Sequence, residues 1–287
     1  MFYQQALFFT LPLLPVLILM LDFSLRGTYD VLAVPLLLPE HVVRDVLLPP
    51  SLSPGLLPVP QGVYEQLGLA DAVRAADGTP QRLVLLQLGY QSHTGPGAPW
   101  MGMRMQSFSE VKLEIPFMRH PKLARSEQPF LFKQTMLFSN PLMSFSSNIF
   151  PGARSVYASF RPKKSPATYA PDAAQLEYGV TDWVHAEATQ AAAPRAQGMW
   201  PAVKDMLNAP WFAERSGSSV IQFIFDDSAA EIAPTLYDVE VKLRMRAWRH
   251  PLQKPYSGPE EILLSGQGFR SKMDFTSRSG AAHKFIE

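Results

Sequence analysis

The chain has no cysteine in its 287 residues, which excludes disulfides, thiolate metal sites and a cysteine nucleophile. It has almost no net charge: 26 basic residues against 25 acidic ones leave +1 at pH 7, and the two signs are interleaved. A nucleic-acid footprint needs clustered Lys and Arg, so no nucleic-acid partner is expected. The six histidines (His41, His93, His120, His185, His250 and His283) show no ligand spacing, and no metal site is expected. Gly266-x-Gly268 and Gly95-Pro96-Gly97 lack the strand-and-helix context of a phosphate loop and read as turns. Residues 216–219 lack the pattern of a nucleophile elbow, and Glu260-Glu261 reads as a solvated turn. Long apolar runs are also scarce. The one at Ala6–Leu21 is broken by Pro12 and Pro15 and falls short of the roughly 20 residues of a spanning helix. It also lacks the basic start and the cleavage site of a secretory signal. A buried N-terminal segment of a cytoplasmic protein, or a misassigned start, is the expectation; a membrane anchor or signal through residues 6–21 is the alternative.

Proline, by contrast, is abundant, and its 27 residues cut the chain into short segments. Helices are expected at Leu38–Leu48, where Val42, Val43, Val46 and Leu47 form an apolar stripe, at Tyr64–Ala76 and at Pro201–Phe212. Strands are expected at 83–88, 109–116, 128–138, 155–160, 180–188, 220–225 and 236–248. In the last, Val239, Val241, Leu243, Met245 and Ala247 face one way and Glu240, Lys242, Arg244 and Arg246 the other. A strand with one wet face fits an antiparallel sheet or barrel wall, so a mainly β domain with a few peripheral helices is predicted. The division expected is an apolar segment at 1–21, one domain at 22–275 and a loose polar tail at 276–287. The stretches 91–99 and 191–198 read as flexible loops bordering a pocket.

One dipeptide carries chemistry. Lys163 and Lys164 adjoin in Phe160-Arg161-Pro162-Lys163-Lys164. An amine attacks a carbonyl only when neutral, and a lysine at its usual pKa of roughly 10.4 is almost wholly protonated near pH 7. Burial, or a second cation beside it, disfavours the charged form and makes a Schiff-base nucleophile of it. The plain alternative is a solvated structural pair. Neighbouring side chains on a regular strand point to opposite faces, so the two lysines should not share a pocket there. Either Pro162 and Pro166 distort the backbone or desolvation dominates; desolvation is expected.

In this context the chain resembles the acetoacetate decarboxylase family. Phe160-Arg161-Pro162-Lys163-Lys164 resembles its aromatic-Pro-Lys-Lys motif, although Arg161 stands where an aromatic is usual. Ser107-Phe108-Ser109-Glu110-Val111, with Ile115-Pro116, resembles its glutamate-bearing segment. Thr135-Met136-Leu137-Phe138-Ser139-Asn140 resembles the strand before the lysines, and Leu176-Glu177-Tyr178-Gly179 a later turn. Trp248 with Ser257-Gly258-Pro259-Glu260 resembles a late element, so the resemblance spans about residues 26–275. It implies a closed, cone-like antiparallel β-barrel and a homo-oligomer. It implies a decarboxylase of a 3-oxo acid that needs no metal or organic cofactor. Lys163 would be the nucleophile, Lys164 the cation beside it and Glu110 a pocket acid. Arg26 would draw in the carboxylate of a small-molecule oxo acid, and Gln87 and Met136 would contact the substrate. Gln87 replaces an acidic residue of the family, which leaves open aldol or dehydration chemistry on a pyruvate-like acid. A barrel that binds an apolar ligand without turnover also stays open.

Overall fold

A computed structural model of the protein describes residues 25–96, 107–123, 125–149, 152–192 and 196–286. The apolar run Ala6–Leu21 lies outside them, as do residues 97–99 and 193–195 of the two expected loops. Twelve strands form one mixed sheet. They are β1 (Leu25–Pro39), β2 (Gln81–Pro96), β3 (Phe108–Met118), β4 (Phe130–Phe138), β5 (Ser155–Tyr157) and β6 (Phe160–Arg161). The rest are β7 (Gln175–Val180), β8 (Val184–Gln190), β9 (Trp211–Phe212), β10 (Ser219–Asp226), β11 (Ile232–Arg244) and β12 (Glu261–Ala281). The order β1–β2–β3–β4–β9–β10–β12 returns to β1, making a ring of seven strands. Closure is uneven: the seam runs through the two-residue β9, which lies parallel to β4. The mainly β reading therefore holds, with a parallel seam in place of a wholly antiparallel wall.

β12 organises the molecule. Residues 269–276 pair with β1, 274–281 with β10 and 261–272 with β11. Beyond β11 the sheet continues through β8, β7 and β6. This extension covers the outer faces of β1, β2 and β3, where Leu32, Val34, Leu86, Leu88, Val111 and Leu113 meet Leu176, Tyr178, Val239 and Val241. Tyr178 fastens the two layers by donating to the carbonyls of Gly89 and Glu110 at 3.1 and 2.9 Å. Inside the ring, Tyr29, Val31, Ala33, Leu83 and Leu85 pack with Phe225, Phe269 and Phe275. The helix Ala196–Asn208 closes onto that cluster through Met199, Val203 and Leu207.

Several expectations need correction. The helix expected at Tyr64–Ala76 is Gln61–Gln66, and the third runs Ala196–Asn208 with Pro201 inside it. The strand expected to reach Trp248 ends at Arg244, and Met245–Trp248 is a helical turn. The tail is not loose: β12 runs to Ala281, and Ala282 and Phe285 are buried. Glu261 begins β12, and Gly266 and Gly268 lie within it rather than in a turn. A Cβ on Gly268 would come within 2.9 Å of Val34 and 3.0 Å of the Ala33 carbonyl, so β12 can cross β1 this closely only without one.

Candidate active site

β3 carries the site. Strand alternation places Glu110, Lys112 and Glu114 on the inner face of the ring and Val111, Leu113 and Ile115 on the outer. β4 contributes through a bulge. Leu113 pairs with Thr135, but Glu114 pairs with Lys133, leaving Gln134 as the extra residue. Without that insertion Gln134 would face inward and Lys133 outward. With it, two lysines and two glutamates meet in the interior, all four buried.

The four form two ion pairs. Lys112 Nζ contacts the Glu110 carboxylate, and Lys133 Nζ lies 2.7 Å from Glu114 Oε1. Gln91 Nε2 donates to Glu110 Oε1 at 2.8 Å, and Gln87 Nε2 donates to Glu114 Oε2. Aromatic rings enclose both ammoniums. Lys112 Nζ is 4.7 Å from the Tyr29 ring centroid, and Lys133 Nζ is 4.3 Å from that of Trp211. Each is also 5.4 Å from the Phe223 ring. Gly89 has no side chain because the Tyr29 ring occupies that space, 2.2 Å from where a Cβ would stand.

Burial dominates the electrostatics. It is the largest influence on Lys133, opposed by Glu114, reinforced by the nearby Lys112 cation and opposed again by Glu110, and together these lower the Lys133 pKa to about 8. Burial likewise raises the Tyr29 hydroxyl well above the ordinary tyrosine value, with the Glu110 charge adding to it. Trp211 is buried, and among the described residues its Nε1–H meets no acceptor.

Three of the residues singled out from the sequence converge here. Glu110 and Gln87 belong to the ion-pair network, and buried Met136 stands opposite Lys112 in the β3–β4 ladder. The other three do not. Lys163 and Lys164 are exposed in the turn after β6, where burial was expected. Ser109 Oγ donates to the Lys163 carbonyl at 2.7 Å. Ser109 adjoins Glu110 but faces the opposite side of β3, so the lysine turn lies outside the ring wall. Fully buried Arg270 holds that turn from below, donating to the carbonyls of Pro166, Tyr169 and Ala170 at 3.2, 3.1 and 2.7 Å. Its charge is met by Asp30 at 3.0 Å. Arg26 is exposed and lines a surface groove of about 710 Å³ with His93, Ile224, Asp274, Phe225 and Phe275. Phe225 also stacks on Tyr29 at 5.8 Å, so this aromatic floor separates the groove from the interior.

Sequence reasoning missed Lys112, Lys133, Glu114 and Trp211. The alternation of SEVKLEIP was visible, and it places Glu110, Lys112 and Glu114 on one face. Such a face is ordinarily taken to meet water, whereas ring closure turns it inward. Nothing local marked Lys133, because its orientation depends on the bulge.

No family model matches the chain, and no curated protein does. Among solved structures it is similar to the enduracididine biosynthesis enzyme MppR, at 11% identity over 90% of this chain and 87% of that one, with a TM-score of 0.48. It is similar to acetoacetate decarboxylase from Legionella pneumophila, at 10% identity over 91% and 87%, TM-score 0.47. It is also similar to an acetoacetate decarboxylase-like enzyme from Sphingomonas wittichii RW1, at 13% identity over 90% and 92%, TM-score 0.44.

Proposed function

We propose that the ring interior is the active site of a cofactor-free enzyme that forms a Schiff base between Lys133 and an oxo acid, and that it decarboxylates a 3-oxo acid. The observation that carries this reading is Lys133 itself, a wholly buried amine with a pKa near 8 and a second lysine close by. This is the arrangement that amine catalysis requires, and exposed Lys163 and Lys164 do not have it. The chemistry that the sequence resemblance attaches to Lys163 is therefore assigned to Lys133, with Lys112 as the cation that helps lower its pKa.

Glu114, at 2.7 Å, is within reach to take the proton that frees the Lys133 amine. The amine attacks the ketone carbon, and loss of water from the carbinolamine gives an iminium. The bond from the α-carbon to the carboxylate then breaks; carbon dioxide leaves and the electron pair moves into the iminium, giving an enamine. Glu110 or Glu114 returns a proton to carbon, and hydrolysis frees the ketone and Lys133. The Trp211 N–H, without an acceptor among the described residues, would supply a donor for the substrate carboxylate, and Gln87 and Met136 lie beside the ion pairs. Arg26 would attract the anion to the groove, whose lining includes Phe225 and Phe275.

The test is to incubate the protein with acetoacetate, longer 3-oxo acids or pyruvate in the presence of borohydride and map the adduct by peptide mass spectrometry. The adduct is expected on Lys133, absent from Lys133→Met and retained in Lys163→Ala. An adduct on Lys163 alone would move the chemistry to the outer turn, and no adduct with any acid would end the enzyme reading. The same enamine serves aldol or dehydration chemistry on a pyruvate-like acid, which turnover with an added aldehyde distinguishes. A second reading rests on each interior lysine already having a carboxylate partner. In it the ring binds an apolar ligand without turnover, and Lys133→Met would retain that binding.

A further inference from the structure

A hydrogen-bond chain runs from a bulge in the ring wall to Glu110. Arg26 pairs with Gly95 and Thr28 with Ser92, so Gly27 on β1 stands opposite both His93 and Thr94 on β2. On an unbroken strand Thr94, three positions after Gln91, would point to the opposite face. The extra residue restores the parity. His93 absorbs the turn with φ at +54°, a left-handed conformation uncommon outside glycine. Gly27 leaves the room, since a Cβ on it would stand 2.7 Å from Thr94 Oγ1. Thr94 is thereby buried beside Gln91, and its hydroxyl donates to Gln91 Oε1 at 3.1 Å.

A carboxamide can turn either end toward a carboxylate, and only its NH2 end is attractive there. Thr94 selects that end. By donating to Gln91 Oε1 it fixes Nε2 toward Glu110, and Nε2 donates to Glu110 Oε1 at 2.8 Å. Lys112 Nζ contacts the same oxygen. Tyr178 holds the Glu110 backbone, donating to its carbonyl at 2.9 Å. Glu110 is thus fixed in main chain and side chain, with a proton source against it. Glu114 instead has Oε1 engaged by Lys133 at 2.7 Å. The amide beside it is held more loosely, with the Tyr29 hydroxyl 3.4 Å from Gln87 Oε1. We infer, on the Schiff-base reading of the ring interior, that Gln91 and Thr94 are positioning residues that aim Glu110 at the substrate carbon and leave Glu114 to the Lys133 amine. In that step Glu110, having taken a proton from Lys112, passes it to the enamine carbon. The C=C electron pair forms the new C–H bond, and the nitrogen lone pair restores the iminium. Water returns a proton to Lys112 as the product leaves.

Proton transfer at carbon can be read apart from decarboxylation. In heavy water the wild type is expected to place deuterium in the methyl groups of acetone or pyruvate, followed by proton NMR, while borohydride trapping reads adduct formation on Lys133. Gln91→Met should slow exchange roughly tenfold or more and Thr94→Val roughly three- to tenfold, with adduct yield changed less than about twofold. Thr94→Ser keeps the hydroxyl and should return exchange to within about twofold of the wild type. Valine keeps the shape of threonine and serine its hydroxyl, so a packing role would reverse the order of those two variants. Circular dichroism checks each fold, and the Thr94 pair carries the test should Gln91→Met fail to fold. A wild type that forms the Lys133 adduct without exchanging would overturn the inference alone. So would exchange indifferent to Gln91→Met and Thr94→Val, a Thr94 order that is reversed, or adduct yield that falls in step with exchange. A wild type that forms no adduct would remove the Schiff-base reading first, and the roles of Gln91 and Thr94 with it.

Discussion

If burial holds Lys133 near pKa 8, its reactivity should follow a titration centred there rather than near an ordinary lysine. At pH 7 an amine of pKa about 8 is neutral in about one molecule in ten, against about one in 2,500 for a lysine at 10.4. The advantage is about 250-fold in competent nucleophile. The neighbours separate the causes. Lys112 lowers the Lys133 pKa and Glu114 raises it. Lys112→Met should therefore move the midpoint up and slow trapping at pH 7, whereas Glu114→Gln should move it down. The assay is the initial rate of cyanoborohydride trapping on Lys133, resolved by peptide mapping from about pH 6 to 10, with the folded state of each variant checked by circular dichroism. The direct midpoint comes from the Lys133 side-chain NMR titration without substrate. A wild-type midpoint at 10 or above would refute the desolvation argument. Midpoints that shift in the same direction in both variants would refute the assigned roles of the neighbours.

The same depressed pKa links stability to pH. Between about pH 8 and 10 the unfolded chain holds the Lys133 proton and the folded chain does not, so unfolding takes up a proton and stability rises with pH. Urea titrations should show the wild type gaining about 2–3 kcal/mol on Lys133→Met across that window, and a constant difference would contradict it. Buried Tyr29 and Tyr178 have raised pKa values, so the stability they contribute is lost above about pH 10 in both proteins. Arg270→Met strands Asp30 in the interior and releases three carbonyls of the lysine turn, an expected cost of about 3–5 kcal/mol. Adding Asp30→Asn should return part of it, and equal denaturation midpoints for single and double variants would show that the pair does not matter. Gly89→Ala drives a Cβ into the Tyr29 ring, so a loss of about 1–3 kcal/mol and a lower adduct yield are expected. Unchanged thermal melting would mean that the ring does not pack on Gly89.

Strands with one wet face were legible; those that close the ring were not. β11 alternates as read, with Val239, Val241 and Leu243 buried and Glu240, Lys242 and Arg244 exposed. β1 gave no such signal because both of its faces are covered, so LAVPLLLP reads as an undivided apolar run carrying two prolines. β12 was hidden for a different reason. Its 21 residues pair with three strands in succession, and its face pattern changes with each partner. Its glycines looked like turn residues because the close crossing of β1 that requires them is not a local property.

The candidate site divides in the same way. The residues alone determined a mainly β chain without thiol chemistry, and the physical requirement that an amine nucleophile be desolvated or set beside a second cation. They also placed Glu110, Lys112 and Glu114 on one face of β3, since strand alternation follows from backbone geometry. Which lysine meets the requirement was decided by tertiary structure. The Lys163-Lys164 pair is adjacent in sequence, yet it lies on a turn outside the wall with solvent around both amines. Lys112 and Lys133 are 21 positions apart and meet because β3 pairs with β4. The bulge at Gln134 shifts the parity of β4 by one residue and turns Lys133 inward. Ring closure through β12 then removes the water, and the depression of its pKa depends chiefly on that removal.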